Sequence, residues 1–304
     1  INNSIMTKSR LFIHPFLNQI KKLELVTALR EGARLRGYAS EIAAKLPEFP
    51  VKDDILVIWN RHLTQQIYAK HFEFVGAKVL VFENPYLKSK INPELEYSMG
   101  LSFHNNWNYS LPTYDEKKWK TFYSDYELKE WKKYSGDPKT ILICTQAKVF
   151  NGSGLGYEGY KQPAGWDLMI IEKVRAKYPD ALIIFRTHPK ARDLSDARKL
   201  KKIKNFEVSD GKFTSIDYDL TRSDCVITYT SNAATESILN GNATFITGPT
   251  TFLKSWQSGH GFTTLHNAKF VPNRIEGFKR LVCNQFFLSD ISSGKLFDIL
   301  SGIS

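Results

Sequence analysis

The sequence predicts an α/β fold of two doubly wound domains, and three observations predict it. Short runs that are largely apolar and rich in β-branched residues recur along the 304 residues, among them DILVIW at 54–59, AKVLVF at 77–82 and TILICT at 140–145. Runs of this length with no polar face are the composition of strands buried on both sides, as in parallel sheets. Helical spacing alternates with these runs, and several of the helical segments stop at a glycine. The turn-forming stretch Ser135-Gly136-Asp137-Pro138 then divides the chain into halves that repeat this layout. The expected domains are 1–136 and 137–304, each with a parallel sheet, facing one another across a cleft, with the last helices able to pack back on the first domain.

In order, residues 11–13 read as a strand that runs into His14-Pro15. Residues 18–36 read as one helix, with Ile20, Leu23, Val26, Leu29 and Ala33 on a single face and Gly37 as its stop. The strand 54–59 leads to Asn60-Arg61-His62, a helix covers 63–75, and the strand 77–82 leads to Glu83-Asn84-Pro85-Tyr86. A weaker strand at 97–103 opens into a polar and aromatic loop from His104 to Tyr109, and 114–134 reads as an aromatic-rich helix. In the second half the strand 140–145 precedes a glycine-rich loop at 151–156. Its glycines fall as G-x-G-x-G with no helix directly behind them, which is not a dinucleotide fingerprint. Helix 166–177, strand 181–185 and strand 206–208 follow, and helices at 275–287 and 295–300 close the chain.

Composition narrows the function classes. Hydrophobic residues make up 42% and aromatics 13%, which suits a folded chain, and no apolar run approaches the ~20 residues of a membrane span. The segment INNSIMTKSR lacks the apolar core of a signal peptide, and three scattered cysteines have neither metal-ligand spacing nor disulfide density. A reducing, cytoplasmic setting without stable membrane insertion is expected. The net charge of +11 favours polyanionic partners, and eight Lys/Arg between 186 and 204 face only Asp193 and Asp196.

The organising stretch is 224–248, DCVITYTSNAATESILNGNATFITG. A strand delivers Thr230-Ser231-Asn232 to a helix start, where backbone N–H groups and the helix dipole favour an anion. Glu236, one turn in, is placed to reach sugar hydroxyls. Arg186-Thr187-His188-Pro189-Lys190 sits at another strand end. Proline holds His188 extended, and Arg186 and Lys190 bring charge suited to phosphate.

Together, strand–R-x-H-P and, some forty residues on, D-x-x-I-T-x-x-S before a helix resemble the carboxyl half of GT-B glycosyltransferases. The nearest grammar is that of bacterial capsule transferases for Kdo and sialic acid, and of the glycerophosphate transferases of teichoic acid synthesis. The resemblance implies His188 and Ser231 at the phosphates of a nucleotide-sugar donor, Thr230 and Asn232 beside them, and Arg186 and Glu236 in the same pocket, where the residues themselves add Lys190. In the amino half, 54–60, 76–86 (GAKVLVFENPY) and His104-Asn105 resemble phage-encoded DNA glycosyltransferases, with Asn84-Pro85 in place of a flexible Asn-Gly.

These readings predict a nucleotide-sugar-dependent glycosyltransferase of GT-B fold, with a UDP-sugar as donor and no required cofactor. No D-x-D pair is read as a metal holder. Glu83 and His104 lead the candidates for the base that deprotonates the acceptor hydroxyl, ahead of His62 and His14. Arg61, His62, Trp107, Lys117 and Lys118 are the candidates for acceptor contact. Trp256, His260, Thr250 and Thr251 fall on the donor side. The expected acceptor is a hydroxymethylated pyrimidine in double-stranded phage DNA, flipped from the stack. A capsule or lipopolysaccharide glycan is the alternative, and a non-catalytic nucleic-acid-binding protein is the alternative of another class.

Overall fold

The computed structural model describes residues 9–20, 22–61, 63–103, 115–146, 162–190, 203–248, 258–260, 262–270 and 274–302. His62, His104, Trp107, the glycine-rich loop, Thr250, Thr251, Trp256 and the basic stretch 191–202 lie outside the described residues, as does the side chain of His260. The chain forms two compact units, one of Ile1–Asp125 with Glu276–Ser304 and one of Tyr126–Ile275.

The first unit begins with β1 (Arg10–Ile13), α1 (Phe16–Gln19), α2 (Leu23–Leu35) and β2 (Ala39–Ile42). It continues with β3 (Ile55–Trp59), α3 (Leu63–Phe74), β4 (Lys78–Glu83), β5 (Glu96–Leu101) and α4 (Glu116–Phe122). The second unit holds β6 (Thr140–Cys144), α5 (Trp166–Lys177), β7 (Leu182–Arg186), β8 (Phe206–Ser209) and α6 (Ile216–Arg222). After these come β9 (Cys225–Thr228), α7 (Ala233–Leu239), β10 (Ala243–Ile246) and β11 (Gly259–His260). The chain then returns to the first unit through α8 (Arg274–Cys283), β12 (Gln285–Phe287), α9 (Leu288–Ser292) and α10 (Lys295–Ser301). Among the described residues no helix is long and apolar enough to cross a membrane.

The sheets run β12-β5-β4-β3-β1-β2 and β11-β10-β9-β6-β7-β8. Every pairing in the second is parallel, and β1 to β4 are parallel in the first. The expectation of parallel sheets needs one correction: β5 pairs antiparallel with both β4 and β12. Residues 84–95 contain no helix, and without a crossover element the chain can only turn back.

Alternation explains why the strands read as apolar throughout. Leu11, Ile13, Ile55, Val57, Leu80 and Phe82 face α2 and the carboxyl-terminal helices, whereas Phe12, Leu56, Ile58, Val79 and Val81 face Ala69 and Phe72 of α3. In the second unit Ile141, Ile143, Ile183, Phe185 and Ile227 pack on α5, and Leu142, Ile184 and Val226 pack on Leu220 of α6. With both faces covered, nearly every residue of the central strands is core.

Three helices expected from periodicity come out differently. The run at 18–36 is broken, because Lys22 leaves helical geometry (φ −91, ψ 47) and its N–H reaches back to the Leu17 carbonyl at 3.0 Å. Its ammonium lies 4.7 Å from the Trp59 ring centroid and 5.1 Å from that of Tyr97, which hold it there. The segment expected as a helix over 114–134 is helical only through α4. Beyond it, the N–H groups of Lys129 and Lys132 donate to the carbonyls of Leu239 and Gly241, at 3.0 and 2.8 Å. These backbone groups satisfy the end of α7 instead of continuing a helix. The segment at 275–287 is helical only to Cys283, and Gln285–Phe287 form a strand whose Gln285 side chain bonds the Tyr86 N–H and the Leu87 carbonyl.

Gly241 is where that wrapping segment touches most closely. It sits at φ +79, and a Cβ there would overlap the Glu130 carbonyl oxygen, whereas Gly37 at φ +80 has open space around it. Gly37→Ala should therefore cost about 1–2 kcal/mol for left-handed strain alone. Gly241→Ala should cost more than that, about 2 kcal/mol or above, because backbone must also move. Urea unfolding of both variants reads the difference, and equal costs would remove the contact from the account.

Candidate functional site

In the second sheet β6, β7 and β8 step in one direction, and β9 returns to the other side of β6. That reversal is a topological switch point, where loops diverge and leave a crevice at the carboxyl strand ends. Register brings Cys144, Arg186 and Thr228 level with one another across β7, β6 and β9. The residues two steps further, His188, Gln146 and Thr230, are therefore the exits of three adjacent strands. Arg186 and Thr228, the last residues held level, are separated by two interstrand spacings, roughly 10 Å.

His188 is half-buried, and the Lys190 N–H donates to its Nδ1 at 3.0 Å. A backbone N–H can only donate, so the neutral ring carries its proton on Nε2 and offers an N–H donor. Burial, and then the Lys190 charge, lower its pKa and keep it neutral. The turn is propped from behind by Gly211, where a Cβ would overlap the Thr187 carbonyl oxygen and crowd Pro189. Lys190 itself is exposed.

Arg186 is placed differently from its expected contact with phosphate. It is 7% exposed, donates to Asp219 Oδ2 at 2.8 Å and to the Thr214 carbonyl at 2.9 Å, and so is committed to the interior. Asp219 has D-x-D spacing with Asp217, but it has no solvent exposure and accepts from Ser209 at 2.5 Å as well as from Arg186. Its carboxylate serves the core.

On the β9 side the Thr228 hydroxyl donates to the Cys144 carbonyl at 3.2 Å and receives the Ser231 N–H at 3.3 Å. The start of α7 is already satisfied: the Ala233 N–H donates to Ser231 Oγ, Ala234 to the Ser231 carbonyl and Thr235 to the Asn232 carbonyl. These N–H groups are thus occupied within the turn itself. Thr230 is buried, Ser231 half-buried and Asn232 exposed. Glu236 is exposed, and desolvation nonetheless raises its pKa, with Asp217 adding to the rise and Arg186 opposing it.

Two glutamines that sequence reasoning passed over join these exits. Gln146 Nε2 donates to Thr230 Oγ1. Gln146 and Gln162 exchange backbone N–H for side-chain oxygen at 3.0 and 2.7 Å, and Gln162 donates to Asp167 at 2.6 Å. They bracket residues 147–161 and tie the base of that loop to the switch point. Their positions at the two ends of a glycine-rich loop are the only sequence signal they give.

In the first unit Glu83 ends β4, half-buried, with its Oε1 accepting from the Tyr86 hydroxyl. His14 follows β1, is 6% exposed, accepts the Phe16 N–H at Nδ1 (3.2 Å) and meets the Tyr68 ring at 4.6 Å. Burial pulls its pKa from 6.5 to about 4. Two of the acceptor candidates are structural. Arg61, 2% exposed, clamps both oxygens of Glu73 at 2.8 Å and donates to Gln66 and to the Ser102 carbonyl. Lys118 is buried, its ammonium donates to the Gln285 carbonyl, and desolvation lowers its pKa. Neither can present charge to a polyanion. Lys117 is exposed on α4.

Removing one partner of the Arg186–Asp219 pair leaves a buried charge without compensation, so Arg186→Ala should lose about 3–5 kcal/mol in urea unfolding. A loss below 1 kcal/mol would show that solvent reaches the pair. His14 gives a pH signature. Below pH 6.5 the unfolded chain takes up a proton that the folded chain refuses until about 4. The stability present above 6.5 is thus lost as the pH falls, by on the order of 3 kcal/mol at the lower end. Urea midpoints from pH 7 to 4 should fall more steeply for the natural chain than for His14→Gln, and parallel curves would contradict the burial.

No family model matches the chain, and no curated protein matches it. Among solved structures it is similar to KpsC of Thermosulfurimonas dismutans, in a structure described as its beta Kdo 2,7 transferase. That likeness has 15% identity, covers 97% of this chain and 100% of the other, and has a TM-score of 0.55. A second KpsC structure, described as the beta Kdo 2,4 transferase, matches at 15% identity over 90% of each chain with a TM-score of 0.53. At this identity the likeness is one of fold: two Rossmann-like α/β units, as in GT-B proteins.

Proposed function

We propose that the chain is a glycosyltransferase that binds a nucleotide-sugar donor at the switch point of its second sheet and transfers the sugar to a glycan hydroxyl. The observation that carries this reading is the His188 turn. A neutral imidazole with its proton fixed on Nε2 stands at the exit of β7, with Gln146 at the exit of β6 and Thr230 and Ser231 following β9. An N–H donor on one side and hydroxyls on the other suit the oxygens of a diphosphate, and Lys190 adds charge as the leaving group departs. Glu236 receives sugar hydroxyls. Arg186 positions the turn through Asp219 and does not touch the ligand. Glu83, with its oxygen oriented by Tyr86, is the base that takes the acceptor proton.

The likeness to Kdo transferases supports a glycan acceptor as a fold-level analogy. The second reading, hydroxymethylated duplex DNA, is favoured by the net charge of +11. It has lost Arg61 and Lys118 as surface cations.

Thermal shift with UDP, CMP and other nucleotides tests the donor site, and no response to any of them would defeat the proposal. Removing one well-placed donor to a developing anion costs about 10²–10³ in rate. His188→Ala should accordingly lose about 100-fold in kcat/KM for donor turnover with its thermal midpoint little changed, and undiminished turnover would mean that the turn does not meet the donor. Transfer to hydroxymethyl-DNA with a steep salt dependence, and none to glycans, would select the second reading.

A further inference from the structure

The first sheet has its own switch point, between β1 and β3, because β2 lies on one side of β1 and β3 on the other. Two buried polar side chains lie on the α3 side of it, His14 and Gln65. His14 uses Nδ1 to accept the Phe16 N–H, which leaves Nε2–H as the donor of the neutral ring. Gln65 is 1% exposed, and its Oε1 has no hydrogen-bond partner among the described residues. A buried amide oxygen left in this state is a cost that folding alone gives no reason to keep.

Helix geometry places the two together. Phe72 of α3 packs on Phe12 at 5.2 Å, and Tyr68 meets His14 at 4.6 Å. Four residues back along the helix match two forward along the strand, about 6 Å in each case. Gln65 shares the buried stripe of Ala69 and Phe72, so one further turn carries it past His14 toward the strand exits. Beside them Asn60 follows the end of β3, at φ +58 with its N–H on the Phe82 carbonyl at 2.9 Å. Asparagine tolerates this left-handed turn because its short amide can bond locally. The next strand exit is Glu83.

We propose that His14 and Gln65 form a hydroxyl-binding pair for a neutral saccharide acceptor, with His14 Nε2–H donating to a hydroxyl oxygen and Gln65 Oε1 receiving a hydroxyl proton. This deepens the glycosyltransferase reading and rests on it. The ligand class follows from the mixture of groups: a hydroxyl both accepts and donates, whereas an ionised phosphate has no proton to give Gln65. His14 is also removed from the list of bases, since one nitrogen is filled and the other already protonated.

The test uses the full chain, with ligand-observed NMR titration of the methyl glycosides of glucose, galactose and mannose, and parallel titration of UDP and CMP. At least one glycoside should bind the natural chain. Gln65→Leu should weaken it about tenfold, the loss of one hydrogen bond, while leaving nucleotide binding unchanged. Its thermal midpoint should stay level or rise, because an unpaired buried amide is replaced by a side chain of similar volume. His14→Phe should weaken the same glycoside. Binding of none of the glycosides by the natural chain, unaltered binding in Gln65→Leu, or a lowered midpoint in that variant overturns the pair. If nucleotides bind while any of these occurs, the pair alone fails. If nucleotides do not bind, the donor reading fails instead.

Discussion

Three donors converge on the carboxylate of Asp219, which has no exposure to solvent: Arg186 at 2.8 Å, Ser209 at 2.5 Å and Arg222 at 3.1 Å. Each comes from a different piece of the second unit, namely the ends of β7 and β8 and the helix α6 itself. A charge in such a place is tolerated only while its partners remain, so the cluster fixes the height at which two strands end and a helix begins. The His188 turn starts two residues beyond Arg186, and Gly211, which props it, two beyond Ser209. The geometry at the candidate donor site is in this sense inherited from a buried ion pair.

The first unit has a corresponding interior device built on Glu96. Its carboxyl accepts from the Tyr123 hydroxyl and from Gln285 at 3.0 Å, and burial raises its pKa against the opposing effects of Gln285 and Lys118. Gln285 lies on β12 and Tyr123 just beyond α4, so the network ties three distant stretches into one sheet edge. A half-satisfied network of this kind costs more than an apolar core, which makes the return of the chain through β12 obligatory for the unit. The helices after β12 follow it, and Ile291, Leu296, Phe297 and Leu300 complete the core beside α2.

How much of this was legible depended on how far apart the interacting residues lie. The strands were readable because each is buried on both faces, and that leaves a local compositional trace. β2 was missed because it is largely exposed (three of its four residues) and has no apolar pattern. α6 was missed because its seven residues bury only Asp219 and Leu220. That omission also misdirected the reading of Arg186: its partner sits in the unrecognised helix, 33 positions away, and a guanidinium at a strand exit looks like a phosphate ligand. Arg61 and Lys118 were misread for the same reason, since Glu73 and the Gln285 carbonyl claim them through tertiary contact.

By itself the sequence determined the alternation of strands and helices, the His-Pro turn after β7 and the hydroxyl residues after β9, because each depends on neighbours within a few positions. Only the tertiary structure decided which cations face the interior, which glutamines join the strand exits, and that β5 runs backward while the chain's end returns to the first sheet. Those outcomes depend on desolvation, which commits a charge to whatever distant partner can compensate it. The 1% exposure and unpartnered oxygen of Gln65 belong to the same class. In the sequence it is one polar residue in a helix, and burial alone makes it a question about function.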